Sequence, residues 1–226
     1  MKIICSKSSL LKSVSIALKA VPSKTTMPIL ECILMDATTN QIKFTTNDME
    51  LGIETIVEGT IEEKGKVALD AKIFYEIIRR LPDNDVTIKT DDKYAATITC
   101  EKAKFNIPGK SGEDFAYLPM IEKDEPLTIS QYTLKEMIRQ TIFSIAVNEN
   151  NKLMTGELFE IKNNCLKVVS LDGHRISIRK MSLKKDYSDR KVVVPGKTLS
   201  EVSKILSGEV DDQVSIYFTK NHILFE

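Results

Sequence analysis

Short stretches of apolar residues in the first hundred residues predict a strand, a helix and three more strands, and then the same order again. The first strand is expected at 2–5, and apolar residues at helical spacing predict a helix over 10–20, capped by Ser8 or Ser9. A second helix is expected after Asp70, whose carboxylate can cap it. The other predicted strands are 30–36, 41–46, 52–59, 66–69, 86–89, 95–100 and 104–107.

The same pattern restarts beyond residue 125, at an offset of 124 residues. Ile3 corresponds to Leu127 at this offset, and Asp48 corresponds to Asp172. The offset is 125 where Lys72 meets Lys197, and it becomes 128 where Val86 meets Val214, after a three-residue insertion near 208–211. The polar residues over 110–125, with Pro119 among them and Pro126 directly after them, predict a connection between domains. The sequence therefore predicts two copies of one α+β fold.

The second copy ends without a counterpart of the strand 104–107. An antiparallel sheet that lacks its last strand has an unpaired edge. We therefore expect a complete domain at 1–121, a nearly complete one at 122–226, and a chain that is a fragment of a longer polypeptide.

Composition is that of an ordinary globular protein, with 42% hydrophobic and 28% charged residues. No apolar run approaches the ~20 residues of a membrane span, and no signal peptide is recognisable, so a cytoplasmic location is expected. The four cysteines lie singly in mostly apolar stretches, which favours buried thiols over a metal site, and no cofactor is expected. A net charge of zero argues against a chain covered in cationic groups, but it permits a basic surface balanced by an acidic remainder.

Basic residues recur on one polar face of each predicted helix, at spacings of four or seven residues. The pairs are Lys12 with Lys19, Lys72 with Arg79, Lys135 with Arg139, and Lys197 with Lys204. Amphipathic helices often carry lysine on their solvent side, but four equivalent helices of one sign favour a shared surface. Such a surface would contact phosphates without reading bases. These helices present no aromatic stacking platform, so sequence readout of single strands is not expected.

An Asp-Gly turn after the predicted strand at 166–171 presents a His-Arg pair. Asp172 and His174 would suit an acid-base pair, with Ser170 or Ser177 as the nucleophile of a hydrolase. The equivalent turn of the first copy lacks the His-Arg pair, which favours a structural turn that became specialised in the second copy. A hydrolase and a repeat scaffold that binds only protein remain alternatives to a DNA-binding protein.

Six short segments spread along the chain carry a resemblance to a known family. They are Leu10-Leu11-Lys12, Met27-Pro28-Ile29-Leu30, Thr46-Asn47-Asp48-Met49-Glu50, Asp114-Phe115 with Leu118-Pro119, Gly156-Glu157-Leu158-Phe159-Glu160, and Leu171-Asp172-Gly173-His174-Arg175. As a set they resemble the bacterial sliding clamp, the beta subunit of DNA polymerase III. This implies a non-catalytic processivity factor with three repeated domains per subunit. Two subunits would join head to tail into a ring around double-stranded DNA, with helices inside and sheets outside.

The helix charges and the resemblance together imply a DNA-binding set, and the resemblance alone implies a peptide pocket and a subunit interface. The DNA-binding set is Lys12, Lys19, Lys24, Arg79, Arg80, Lys135, Arg139, Asn148, Lys152, Lys197 and Lys204. The pocket for a peptide of the replicative polymerase, the clamp loader or another partner is Met154, Leu171, Gly173, His174, Arg175 and Ile176. The subunit interface is Lys72, Ile77, Leu81, Lys102, Lys104, Phe105 and Ile107, although Ile77 and Leu81 suit a core equally well. Without the third domain, residues 1–226 alone are expected to be monomeric.

Overall fold

The computed structural model describes residues 1–147 and 151–226. Its contacts divide the chain into two units, Met1–Pro119 (unit 1) and Met120–Glu226 (unit 2). Among the described residues, no helix has the length and apolar character needed to cross a membrane.

Unit 1 consists of two antiparallel sheets and two helices. Its strands are β1 (Lys2–Ser6), β2 (Cys32–Asp36), β3 (Ile42–Asn47), β4 (Gly52–Val57), β5 (Thr60–Glu63), β6 (Lys66–Asp70), β7 (Asp85–Thr90), β8 (Ala96–Cys100), β9 (Ala103–Ile107) and β10 (Gly109–Ser111), and its helices are α1 (Lys7–Ala17) and α2 (Ala71–Arg80). The sheets have the orders β5-β1-β7-β8-β9 and β10-β6-β2-β3-β4. Both helices contribute to one core, where the rings of Phe44 and Phe74 meet edge to face at 6.1 Å.

Unit 2 repeats this arrangement in a shorter form. Its strands are β11 (Leu127–Ser130), β12 (Gly156–Lys162), β13 (Cys165–Leu171), β14 (Ile176–Ser182), β15 (Arg190–Pro195), β16 (Gln213–Phe218) and β17 (Ile223–Phe225), and its helices are α3 (Gln131–Arg139) and α4 (Gly196–Ile205). The sheet orders are β11-β16-β17 and β14-β13-β12-β15. Phe44 and its counterpart Val168 are both fully buried. The predicted α+β repeat is therefore confirmed.

The two helix starts of unit 1 compare differently with their predictions. Asp70 caps α2 as predicted, since its carboxylate accepts a hydrogen bond from the backbone N–H of Ile73 at 2.8 Å. The predicted cap of α1 is wrong, because the Ser6 hydroxyl accepts from the Ser9 N–H and the helix begins at Lys7. Apolar periodicity identifies the buried face of a helix, but it does not identify the first helical residue when the first turn is polar.

The segment 110–125 is not wholly a connection, which corrects a second prediction. β10 pairs with β6, and a 3-10 turn at Gly112–Asp114 follows it. Phe115 is then buried against Leu34 and Ala68 in unit 1. The short strand β10 has only glycine, lysine and serine, so no apolar pattern signals it. The sequence pattern also omits β5 for a related reason, since its residues are mostly polar.

Candidate functional sites

The basic helix faces of unit 1 differ in how far acidic residues neutralise them. α1 contains no acidic residue, and its Lys12 is exposed. On α2, Arg79 and Arg80 both contact Glu76 Oε2, at 2.8 and 3.0 Å. The hydrogen bond from Arg79 is the main cause that lowers the pKa of Glu76. Exposed pairs of this kind contribute little stability, so the guanidinium groups can exchange this carboxylate for a phosphate at small cost.

The helices of unit 2 show the same pairing and one exception. Arg139 contacts both carboxylate oxygens of Glu136, at 2.8 and 2.7 Å, and Lys204 contacts Glu201 at 2.6 Å. Lys135 is the exception, because it is half-buried and its ammonium donates to the carbonyl oxygen of Leu206 at 3.0 Å, at the end of α4. Lys135 therefore caps a neighbouring helix, a role that helical spacing alone does not reveal.

The remaining residues of the predicted DNA-binding set lie mostly at the surface. Lys24 is exposed in the loop after α1, and Lys152 is exposed at the start of a 3-10 turn, Lys152–Thr155. Lys197 is exposed in the first turn of α4, and Lys19 is half-buried. Asn148 lies outside the described residues. Long cationic side chains of this kind suit diffuse contact with phosphates.

The Asp172 turn is held by its own backbone. Asp172 Oδ1 accepts hydrogen bonds from the N–H groups of His174 and Arg175, at 3.0 and 3.1 Å, and Oδ2 accepts from Arg175 Nε at 2.9 Å. The His174 N–H is the largest cause that lowers the pKa of Asp172. Gly173 has φ +87°, a conformation that favours glycine. The turn thus carries an ionised aspartate and exposes His174.

The hydrolase arrangement is not formed in the described part of the chain. Asp172 uses both oxygens on its own turn and on Arg175, rather than on the His174 ring. Ser170 is buried and donates to the backbone carbonyl of Thr141. Ser177 contacts the hydroxyl of Ser144 at 2.6 Å. Both serines therefore make structural contacts, and no described hydrogen bond joins either of them to the His174 ring, as an activated nucleophile would require.

The predicted peptide-pocket residues gather at one end of a sheet. Leu171 and Ile176 pair across β13 and β14, next to the turn. The pairing of β12 with β13 places the start of β12 at this same end of the sheet. Met154 precedes β12 by two residues, and its carbonyl oxygen accepts from the Ala146 N–H at 2.9 Å. The Ile176 side chain is 59% exposed, so the site offers apolar surface to solvent.

Four apolar residues form a row across the same sheet, and the predicted pocket does not include them. Ile178, Val169, Leu158 and Val193 are successive partners across β14, β13, β12 and β15. Ile178 and Val193 are exposed, at 51% and 39%. The alternating pattern Ile176-Ser177-Ile178 carries the signal, because it places two isoleucine side chains on the solvent side of one strand.

The predicted subunit interface divides into surface and core. Phe105 is 40% exposed on β9, the edge strand of its sheet. Lys72, Lys102 and Lys104 are also exposed, whereas Leu81 and Ile107 are buried and Ile77 packs against the core of unit 1. Leu81 and Ile107 are therefore core residues of unit 1, because their side chains do not reach the surface.

Comparison with known proteins gives consistent matches along the chain. A family model described as DNA polymerase III beta subunit, N-terminal domain, matches residues 1–119, and the model of the central domain matches 128–226. The beta sliding clamp of Staphylococcus epidermidis is 33% identical over 216 residues, which cover 92% of this chain and 57% of that protein.

Two solved structures match over the whole length of the chain. A putative DNA polymerase III beta subunit from Eubacterium rectale is 67% identical with a TM-score of 0.99, and the chain covers 62% of it. The DNA polymerase sliding clamp of Bacillus subtilis is 34% identical with a TM-score of 0.96, and the chain again covers 62%. The chain therefore spans less than two thirds of the length of these relatives.

Proposed function

The chain belongs to the DNA polymerase III beta subunit family, and we propose that it forms part of a sliding clamp that encircles double-stranded DNA. In this proposal the two units are the first two domains of a clamp subunit, with helices towards the DNA and sheets outside. The subunit acts as a homodimeric ring in the cytoplasm. It catalyses no reaction itself and tethers the replicative polymerase to its template.

The observation that carries the proposal is the repetition of cationic positions on the equivalent helices α2 and α4. Lys72 of α2 corresponds to Lys197 of α4, and both are exposed. Arg79 corresponds to Lys204, and each contacts a glutamate three residues earlier in its helix. A core requires apolar residues at equivalent positions, but it does not require equivalent cations on the solvent side. Their repetition supports a common ligand with repeating negative charge.

The same arrangement suits movement along DNA. A clamp that slides must contact phosphates without a preferred register, so that neighbouring positions have similar energy. Flexible lysines, and arginines that exchange between a helical glutamate and a phosphate, provide many weak contacts of this kind.

The proposed partner site is the set Met154, Leu171, Gly173, His174, Arg175 and Ile176. Its apolar side chains would receive apolar residues of a short peptide from a polymerase or clamp loader. Arg175 is more than half exposed while it contacts Asp172, so its guanidinium can also meet an acidic group of the peptide.

The DNA-binding part of the proposal is tested with a labelled duplex and a salt series. Replacing Lys12, Lys24 and Lys197 by glutamate should weaken binding and reduce the slope of log K against log salt by about 0.9 for each phosphate that the variant no longer neutralises. The matched control reverses three exposed lysines on the strands of unit 2, Lys162, Lys180 and Lys191. Fluorescence anisotropy measures both. Equal reductions of affinity in the two variants, or no reduction in the first, would contradict a DNA-facing helix surface.

A further inference from the structure

A buried cluster of polar groups lies in unit 2 beneath the turn that carries Asp172. Ser170 and Ser177 are partners across β13 and β14 and flank this turn on either side. Ser170 donates to the carbonyl oxygen of Thr141, and Ser177 contacts the Ser144 hydroxyl at 2.6 Å. The segment 141–144 is therefore hydrogen-bonded to both strands at the base of the turn.

Glu157 is the carboxyl group of this cluster, and it is fully buried, with 0% exposure. Its Oε1 lies 2.7 Å from Thr141 Oγ1, and its Oε2 has no hydrogen-bond partner among the described residues. Burial is the main cause that raises the pKa of Glu157 to about 7, and the Thr141 hydroxyl opposes it. Among the described residues, no charged side chain of β13, β15, α4 or the segments around β12 contributes to this pKa. A buried carboxyl without a cation favours its neutral form.

The hydroxyl of Thr141 has more oxygen neighbours than protons. Its Oγ1 lies 2.7 Å from the carbonyl oxygen of Met137, 3.3 Å from that of Ile138 and 2.7 Å from the carboxyl of Glu157. Carbonyl oxygens only accept, and a hydroxyl group donates one proton. If Thr141 donates to Met137, a second proton is needed for the contact with Glu157, and only the carboxyl can supply it.

We propose that Glu157 is a positioning residue that, as a neutral carboxylic acid, donates to Thr141 and fixes the segment 141–144 beneath the site turn. Ionisation removes this donor, so Thr141 must turn its proton to the carboxylate and leave the Met137 carbonyl. The Met137 carbonyl at the end of α3 then loses its hydrogen bond from Thr141, and the contacts of the segment 141–144 with β13 and β14 weaken. The inference goes beyond the proposed function, and its tests use neither DNA nor a partner peptide.

Unit 1 contains the same hydroxyl-to-carbonyl hydrogen bond, but it has no carboxylic acid in the place of Glu157. Thr46, the counterpart of Ser170, donates to the carbonyl oxygen of Ala17, the counterpart of Thr141. The counterpart of Glu157 is Ile33, which is buried in the apolar core. The hydroxyl-to-carbonyl bond therefore forms in this fold with an apolar pair beneath it. The acid in unit 2 is thus not a requirement of the fold.

The sign of the pH effect follows from the two pKa values. In the unfolded chain the Glu157 carboxyl titrates near 4.5, and in the folded chain it titrates near 7. The folded state therefore holds a proton that the unfolded state releases, and its stability contribution is fully present below about pH 4.5. This contribution is lost as the pH rises through about 7, and the Thr141 contact changes around the higher value.

The protonation state is tested by infrared difference spectroscopy of the chain against Glu157→Gln. At about pH 6 the native chain should show a carboxylic-acid C=O band that the variant lacks, and this band should disappear near pH 8.5. Absence of the band at pH 6 would overturn the proposal.

The positioning role is tested by hydrogen exchange of the amides at 171–177. Relative to Glu157→Gln, which keeps a neutral donor, the exchange rate of the native chain should rise about tenfold between pH 6 and pH 8.5. A second variant, Thr141→Ala with Glu157→Ile, copies the pair of unit 1 and guards against misfolding of the first. It should give a ratio to Glu157→Gln that does not depend on pH. If the native ratio is also independent of pH, Glu157 does not control the turn.

Discussion

The turns at 47–52 and 171–176 occupy equivalent places in the two units and have the same backbone. Met49 has φ +74° and its counterpart Gly173 has φ +87°. Asp48 Oδ1 accepts from the N–H groups two and three residues later, as Asp172 Oδ1 does. One loop design therefore serves both units.

The two turns differ in the residues that lie against them in the described parts of the chain. In unit 1, Asn47 Nδ2 donates to the carbonyl oxygen of Ala116 at 3.2 Å, and Leu118 lies so close over Gly52 that a Cβ there would meet it at 2.1 Å. The counterpart of Gly52 is Ile176, whose side chain is exposed. The same turn backbone therefore carries glycine beneath residues 116–118 in unit 1, and it carries isoleucine with an exposed side chain at the equivalent position of unit 2.

The cores beneath the turns differ in a related way. Ala17 and Ile33 of unit 1 give way to Thr141 and Glu157 in unit 2. An apolar pair contributes burial and has no pH dependence, whereas a hydroxyl and a carboxyl must share protons. The turn at 171–176 therefore rests on the titratable core.

The largest effect on stability is expected when a glutamate replaces Ile33, the counterpart of Glu157 in unit 1. Ile33→Glu removes an apolar side chain from a core without a cation and should cost on the order of 4 kcal/mol near pH 8. The cost should be smaller near pH 5, where the carboxyl enters the fold neutral. Hydrogen exchange of peptides from 1–119 measures it across that pH range.

The control adds the hydroxyl partner, as Ala17→Thr with Ile33→Glu. The introduced hydroxyl would supply the contact that Thr141 supplies in unit 2, so the double variant should recover part of the stability near pH 5. If Ile33→Glu costs the same at both pH values, burial of the acid does not govern the difference between the units.

A smaller but substantial loss of stability is expected from substitution of Phe115, whose side chain covers part of one sheet of unit 1. Phe115 is 3% exposed and packs on Leu34 and Ala68. Phe115→Ala should cost about 3 to 4 kcal/mol, because it leaves a cavity over the sheet. Exchange of the amides in β2 and β6 measures the destabilisation. Tyr117→Ala is the control, since Tyr117 is half exposed, and equal effects would show that Phe115 is not the principal cover.

Much of this comparison is open to prediction from sequence, because it depends on local patterns. Apolar spacing locates α2 and most strands, and the offset of 124 aligns Asp48 with Asp172. The cap at Asp70 is also predictable, since capping involves residues three apart.

The parts that cannot be predicted in this way depend on contacts distant in sequence. Phe115 covers a sheet built from residues about 50 to 80 positions earlier, and nothing in 110–125 shows where it packs. Lys135 caps α4 through Leu206, 71 residues away. Glu157 stands in an otherwise ordinary strand, and only the fold brings Thr141 to it. Sequence patterns give the faces of elements, whereas these roles depend on which elements meet.

The smallest effect is expected from substitutions within the two turns, at Met49 and Gly173, which test the backbone conformation of each turn. Met49 holds a left-handed conformation that costs a side-chain residue about 1 kcal/mol, so Met49→Gly should stabilise unit 1 by up to that amount, less the entropy that glycine loses on folding. Gly173→Ala should destabilise unit 2 by about 1 kcal/mol for the same reason. Among the described residues, no atom beyond the two chain neighbours lies within 4 Å of a Cβ at Gly173, so this destabilisation comes from the backbone conformation. Hydrogen exchange of each turn measures both. Opposite signs would show that the two turns share one backbone requirement, and a stabilising Gly173→Ala would contradict it.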